Sequence, residues 1–213
     1  MHVIIEPVTA FAQNCSLLIC EQSAQAVMID PGGDPQQLIA LTTKQGCKVV
    51  KIILTHGHLD HVGAAKELAE YFQVDIIGPH HDDQFWLDAL PQQAQMFGFN
   101  AAEPFLPTSW LVHQQRVHFG EQELEVRHCP GHTPGHVVLI SHQDKFVIAG
   151  DVLFKGSIGR TDFPKGNQAQ LVSSIKQQLF DLPDGYVVYP GHGPITTIGD
   201  EKRHNPFLSG RFG

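Results

Sequence analysis

The chain has 213 residues, with 14 Lys and Arg against 22 Asp and Glu, a formal charge of -8 and a sequence pI near 5.9. Net repulsion at long range sets such a chain against polyanions, which excludes nucleic acid as a partner. No apolar run approaches the roughly 18 residues that span a bilayer, so no membrane segment is expected.

Apolar residues at 42% and charged residues at 17% describe a globular chain, and we expect one domain over residues 1–213. The opening stretch MHVIIEPVTAFAQNCSLLIC has no Lys or Arg ahead of its apolar residues and is interrupted by Glu6, Gln13 and Asn14, so it does not read as a secretory leader. A reducing, cytoplasmic setting follows. Cys15, Cys20, Cys47 and Cys129 form no C-x-x-C pair and read as free thiols. Nothing in the sequence sets the oligomeric state, and a monomer is compatible with it.

β-rich runs occur at Val3–Glu6, Cys15–Cys20 and Ala26–Asp30. Pro31-Gly32-Gly33 ends the third, and Asp34-Pro35 then reads as N-cap and first helical position of a helix reaching about Gln45, stopped by Gly46. A buried-strand pattern covers Val49–Thr55. Ala64, Ala65, Leu68, Ala69 and Phe72 recur at helical spacing and predict a second helix from about His61 to Phe72, before a strand at Val74–Ile77. A weaker helical signal covers Asp82–Leu90. The stretch Pro91–Pro107, rich in Pro, Gln and Gly, has no period and reads as a long loop or cover. Strands are predicted at Leu124–Cys129, His136–Ser141, Lys145–Ala149 and Tyr186–Tyr189, with a helix at Asn167–Phe180. No repeat or linker divides the chain. This order suits two mixed sheets with helices outside.

The anomalous count is histidine, 14 in all. The strand ending near Leu54 runs straight into Thr55-His56-Gly57-His58-Leu59-Asp60-His61. In extended backbone, residues two apart point the same way, so His56 and His58 can converge on one ion, with Gly57 allowing a sharp turn between them. Asp60 and His61 lie where the chain enters the next helix and can aim at a second position. His132 follows a strand in Pro130-Gly131-His132-Thr133-Pro134-Gly135, Asp151 follows one in Gly150-Asp151, and His192 follows one in Pro190-Gly191-His192-Gly193. Four strand ends thus each deliver His or Asp beside Gly, the place where sites gather in open sheets. Imidazole and carboxylate without thiolate suit zinc, iron or manganese. Cys129 is either a buried structural thiol or a ligand, and its neighbour His132 fits the ligand role better.

The motifs THGHLDH, PGHTPGH, GD and PGHG together resemble the metallo-β-lactamase superfamily over nearly the whole chain, and within it the short bacterial glyoxalase II-like proteins. That resemblance implies a four-layer αββα sandwich with a two-metal site along one edge of the sheets. It implies that His56, His58 and His132 hold one divalent cation, that Asp60, His61 and His192 hold a second, and that Asp151 bridges. Zinc is the first expectation, with iron or manganese as alternatives. Asp60 and Asp151 are then the carboxylates engaged in catalysis. A hydroxide held between two cations about 3.5–4 Å apart is nucleophilic at neutral pH, and the implied reaction is its attack on a thioester carbonyl with loss of thiolate.

Two departures from glyoxalase II proper stand out. Only 21 residues follow His192, too few for the C-terminal helical domain that contributes glutathione contacts, and Gly193 replaces the tyrosine expected after that histidine. Exported β-lactamases of the superfamily place other residue types at the Asp151 position. In DVLFKGSIGRTDFPK, Lys155, Arg160 and Lys165 cluster beside the site in an acidic chain. They are either ordinary surface charge or contacts for an anionic small-molecule thioester, with Arg160, and Lys155 beside it, as the expected substrate residues. The GRTDF stretch also resembles persulfide dioxygenases, which use a single iron on this fold. A metal-binding scaffold without turnover is the third reading. His136 is expected either to brace the ligand loop or to hold its own backbone partner. His2, His80, His81, His113, His118, His128, His142 and His204 are read as surface or structural.

Overall fold

The computed structural model describes residues 1–99 and 102–209. In its first half, strands β1 (His2–Val8), β2 (Gln13–Ile19) and β3 (Gln25–Ile29) precede α1 (Pro35–Gln45), β4 (Lys48–Ile53), α2 (Leu59–Val62), α3 (Ala65–Phe72) and β5 (Asp75–Ile77). A 3-10 turn (His81–Asp83) then leads to α4 (Gln84–Asp88) and α5 (Leu90–Phe97). The second half comprises β6 (Arg116–Phe119), β7 (Gln122–His128), β8 (Val137–Ser141), β9 (Phe146–Gly150), a short hairpin of β10 (Leu153–Phe154) and β11 (Ser157–Ile158), and α6 (Gln168–Gln178). It closes with β12 (Val187–Pro190), β13 (Thr196–Thr197) and α7 (Ile198–His204).

Two mixed sheets result, one ordered β1-β2-β3-β4-β5 and the other β13-β12-β9-β8-β7-β6. Period-2 alternation assigns their faces. Leu18, Val27, Ile29 and Ile53 of the first sheet meet Val126, Val137, Leu139 and Ile148 of the second in the central layer. The intervening residues Leu17, Met28 and Ile52 pack under Leu38 of α1 and Leu68 of α3, whereas Val138, Ile140, Val147 and Val188 pack under Leu171 and Ile175 of α6. Helix, sheet, sheet, helix is the four-layer sandwich.

Strand direction places the site. β7 and β9 both run antiparallel to β8, and β12 runs parallel to β9. Their C-terminal ends therefore lie on one edge, where the loops carrying His132, Asp151 and His192 begin. β2 ties in the last of these, since Asn14 donates from its side chain to the carbonyls of Pro190 (3.0 Å) and Gly193 (2.9 Å).

Several expectations are corrected. The helix expected over His61–Phe72 is two, because the Ala64 amide bonds the Pro31 carbonyl at 3.0 Å instead of continuing the helical ladder. Gly63 permits that approach, as a Cβ there would stand 2.5 Å from the Gly32 carbonyl oxygen. Asp34 occupies the N-cap position of α1 but does not cap with its side chain, which accepts instead from the Thr9 amide at 2.7 Å. The signal at Asp82–Leu90 is a 3-10 turn followed by α4. Part of the expected loop Pro91–Pro107 is helix α5: Pro91 sits in its first turn, where no amide donor is needed, and Leu90, Gln93 and Ala94 are buried along one side. Asn100 and Ala101 of that stretch lie outside the described residues. The short strands β6, β10, β11 and β13 and helix α7 were not anticipated, because elements of two to seven residues carry too few positions to show a period. Among the described residues no helix is long and apolar enough to cross a membrane.

Candidate metal centre

His56 and His58 leave the end of β4, Asp60 and His61 lie in α2, and the loops after β7, β9 and β12 supply His132, Asp151 and His192. All seven come together. His56 and His61 are fully buried, and His58, His132 and Asp151 nearly so. The Nδ1 of His58 lies 3.1 Å from Nε2 of His56 and 3.0 Å from Nε2 of His132. Beside this trio, Nε2 of His192 is 3.2 Å from Oδ2 of Asp60 and 3.3 Å from Nε2 of His61. Asp151 lies between the two sets, with Oδ1 3.4 Å from Nε2 of His61 and Oδ2 3.6 Å from Nε2 of His132.

The remote ring nitrogens decide which lone pairs face inward. The Thr55 hydroxyl donates to Asp30 Oδ2 at 2.6 Å, so its oxygen is left to accept from Nδ1 of His56 at 3.0 Å. Nδ1 of His61 donates to Asp30 Oδ2 (3.0 Å), that of His132 to the Arg160 carbonyl (2.7 Å), and that of His192 to the Phe11 carbonyl (3.3 Å). In each of these four rings Nδ1 holds its proton on the outer side and Nε2 is the atom that faces the centre, the arrangement typical of metal-ligating histidine.

Electrostatics separate the sets. Burial, then the neighbouring imidazoles, push His56 and His58 well below the usual histidine range, and burial lowers His132 despite Asp151. These rings are neutral near pH 7 and crowd their lone pairs together with no proton to share. At His61, burial is overridden by Asp151, Asp60 and Asp30, which raise it well above the usual range, and Asp60 and Asp151 raise His192 against burial. Asp151, buried, and Asp60, partly buried, both face His61 and His192 and stay ionised.

The donor set fits two divalent cations. A tetrahedral ion at about 2.0–2.1 Å from its nitrogens sets them roughly 3.3–3.4 Å apart, close to the separations found in both sets. Buried neutral imidazoles on one side, and the buried Asp151 with the partly buried Asp60 on the other, are a cost that cations would remove.

Four supporting residues escaped the sequence reading. Asp30, at the end of β3, binds the Thr55 amide (2.7 Å) and orients His61; its position after a buried strand matches that of Asp151 and was the available signal. Asp83 accepts from the amides of Gly57 (2.9 Å) and Gly135 (2.5 Å) and from the Thr133 hydroxyl (2.7 Å), so one carboxylate joins the loops of His56, His58 and His132. Burial raises its pKa to about 6 against those three donors. Gln93 accepts from the Leu59 amide at 2.9 Å, fixing the start of α2, and Gln13 contacts Nδ1 of His61 at 3.3 Å. Gly57 has no left-handed backbone; it is small because a Cβ would meet that of Trp86 at 2.6 Å. His136 does brace the site: its Nε2 accepts from the Asp151 amide at 3.0 Å and its ring stacks on His56. Cys129 is a buried free thiol whose pKa burial pushes far up, which suits a structural role.

A cleft of about 450 Å³ opens over the donors, walled by Phe11, Trp86, Phe97, Phe99, Phe154 and Phe163. Arg160 stands on its rim, bonded to Asp162 at 2.8 and 3.0 Å with its guanidinium over Phe163. Lys155 is exposed and does not line the cleft, and Lys165 lies over the Phe85 ring instead.

Comparison with known proteins agrees with this geometry. Hydroxyacylglutathione hydrolase GloC of Haemophilus influenzae is 46% identical over 212 residues, covering 99% of this chain and 100% of the relative. Among solved structures, one described as BLEG-1 B3 metallo-beta-lactamase is 34% identical with a TM-score of 0.90, covering 98% of this chain and 100% of the other. TTHA1623 in a di-iron-bound form is 37% identical with a TM-score of 0.88, covering 97% and 100%. Residues 8–192 match the model of the Metallo-beta-lactamase superfamily. With that span reaching from the first strand to the last histidine of the centre, the chain belongs to the metallo-beta-lactamase superfamily.

Proposed function

We propose that the chain is a metal-dependent thioester hydrolase that cleaves S-lactoylglutathione or a related acyl thioester. The observation that carries this reading is Asp151, whose carboxylate stands between the donor sets, with Oδ1 3.4 Å from His61 and Oδ2 3.6 Å from His132 and 3.8 Å from His192. His56, His58 and His132 would hold one cation, Asp60, His61 and His192 a second, and Asp151 would bridge them. Two divalent cations there, with zinc first and iron or manganese as alternatives, would supply a hydroxide nucleophile at neutral pH and a Lewis acid for the carbonyl oxygen.

The rest is the protein's own work. Outer hydrogen bonds to Asp30, Thr55, Arg160 and Phe11 stop the ligand rings from turning. The phenylalanine walls exclude bulk water and bury the acyl chain against the centre, while Arg160 meets a substrate carboxylate at the rim. That contact displaces Asp162, at small cost because the exposed pair is worth at most about 1 kcal/mol. A thiolate needs no proton to depart, since thiols ionise near pH 8.5, so a cleft that among the described residues is lined by no lysine or tyrosine to act as acid suits a thioester. The similarity to GloC, named for hydrolysis of hydroxyacylglutathione, supports the same class.

The similarity to BLEG-1 favours a β-lactam as the competing substrate. The test is metal analysis of fresh protein with parallel assays on S-lactoylglutathione, nitrocefin and glutathione persulfide. Thioester cleavage that persists without oxygen and stops on chelation is expected. Nitrocefin turnover without thioester cleavage would replace the reading with a β-lactamase. Oxygen uptake with the persulfide and one iron per chain would replace it with a dioxygenase.

A further inference from the structure

Away from this centre, the described residues contain one other group of converging metal-binding side chains: His80, Asp82 and His128, whose donor atoms all lie within 4.8 Å of one another. His80 precedes the 3-10 turn, Asp82 lies within it, and His128 ends β7. Nδ1 of His80 is 3.3 Å from Oδ2 of Asp82 and accepts from the Asp82 amide at 3.3 Å, a bond that an ion on Nδ1 would replace, and the His80 and His128 rings stack with centroids 4.2 Å apart. Nε2 of His128 bonds the Pro134 carbonyl at 2.8 Å, which can only accept, so the proton sits on Nε2 and Nδ1 keeps its lone pair. This is the same outward anchoring that prepares His61, His132 and His192 as ligands. Burial lowers His128, keeping it neutral near pH 7. Asp82 is exposed and His80 partly so, which leaves a path from solvent.

We infer that His80, Asp82 and His128 bind one divalent transition metal, of the zinc, nickel and copper class that two imidazoles and a carboxylate select, with water completing its coordination. The net charge of -8 attracts cations to the surface as a whole. The position gives the ion a structural consequence. The His80 amide bonds the Gly135 carbonyl at 3.1 Å, and His128 bonds Pro134, so both imidazole residues already rest on the loop that carries His132. An ion joining them fastens the 3-10 turn to the end of β7 on the outer side of that loop.

Equilibrium dialysis against micromolar Zn2+ tests the site in the full-length protein, comparing wild type with Asp82→Ala and His80→Gln. Wild type should retain one more Zn2+ per chain than either variant, and loss of a ligand should weaken that ion by about 100-fold, the upper end of what losing a mere supporting contact costs. The difference between proteins is the readout, so an error in the count assigned to the catalytic centre shifts all three alike. Imidazole NMR of the wild type needs no variant: the His80 and His128 resonances should move together at micromolar Zn2+. Equal Zn2+ content in all three proteins, or movement of those resonances only at millimolar Zn2+, would overturn the assignment.

Discussion

Gly159→Ala tests the placement of Asp151 through one atom. Gly159 follows β11, its backbone is outside the left-handed region, and a Cβ there would stand 1.9 Å from the Asp151 carbonyl oxygen and 3.1 Å from Nδ1 of His132. Real Cβ contacts essentially never fall under 3.0 Å, so the backbone at one of these positions must yield by at least about 1.1 Å. The Asp151 carboxylate now stands 3.4 and 3.6 Å from His61 and His132, and a shift of that size loosens its hold on one side or the other. A misplacement of about 1 Å can cost roughly 100-fold in rate, so kcat/KM should fall by about that factor, with the metal held at this centre dropping toward one ion. Gly156→Ala is the control on the same hairpin. Its φ is +70° but nothing lies within 4 Å of its Cβ, so it should lose about 1–2 kcal/mol of stability through backbone strain and keep both metal content and rate. Metal analysis, thioester kinetics and thermal unfolding on the three proteins decide the matter. Wild-type metal content and rate in Gly159→Ala would refute the reasoning.

Asp151→Asn should lower metal content and hydrolysis together, and a variant that kept both metals and full rate would remove Asp151 as the bridge. Arg160→Ala should raise KM for anionic thioesters about 10-fold with little change in kcat, the pattern of lost uniform binding, and leave stability within about 0.5 kcal/mol because the Asp162 pair is exposed; an unchanged KM would take Arg160 out of the site. Metal uptake by the metal-free protein should release protons at the second donor set, where carboxylates raise His61 and His192, and none at His56 and His58, which burial keeps neutral. Calorimetric titration in buffers of different ionisation enthalpy measures that count, and acidification should weaken the second cation first. In the metal-free protein the sign for folding is the reverse: the raised His61 contributes stability that is full below its ordinary value near 6.5 and is lost as pH rises through its folded value. Equal proton release at both sets would contradict this account.

The candidate donors were legible because metal binding constrains residue type and spacing locally. His56, His58, Asp60 and His61 fall within six consecutive positions, and the Gly-flanked His132, Asp151 and His192 each follow a buried strand whose pattern is plain. The supporting residues were not. Asp83 accepts from Gly57, Thr133 and Gly135, partners 26 to 52 positions away, and nothing in HHDD distinguishes it from a solvated acid. Gln93 was hidden inside a stretch whose proline and glutamines suggested loop, although a proline in a first helical turn costs nothing.

What the sequence by itself determined is which seven His and Asp side chains gather, the two-sheet architecture and the position of the site at strand ends, because side-chain periodicity and the spacing of donor residues are properties of neighbouring residues. What only the tertiary structure decided is how those ligands are held and what stands over them. The parallel course of β7, β9 and β12 brings three distant loops to one edge, Asp30 fixes the His61 ring and Asp83 joins the loops of His56, His58 and His132, and the six aromatic walls come from segments as far apart as Phe11 and Phe163. Contacts of that range depend on packing between layers, which no local pattern encodes.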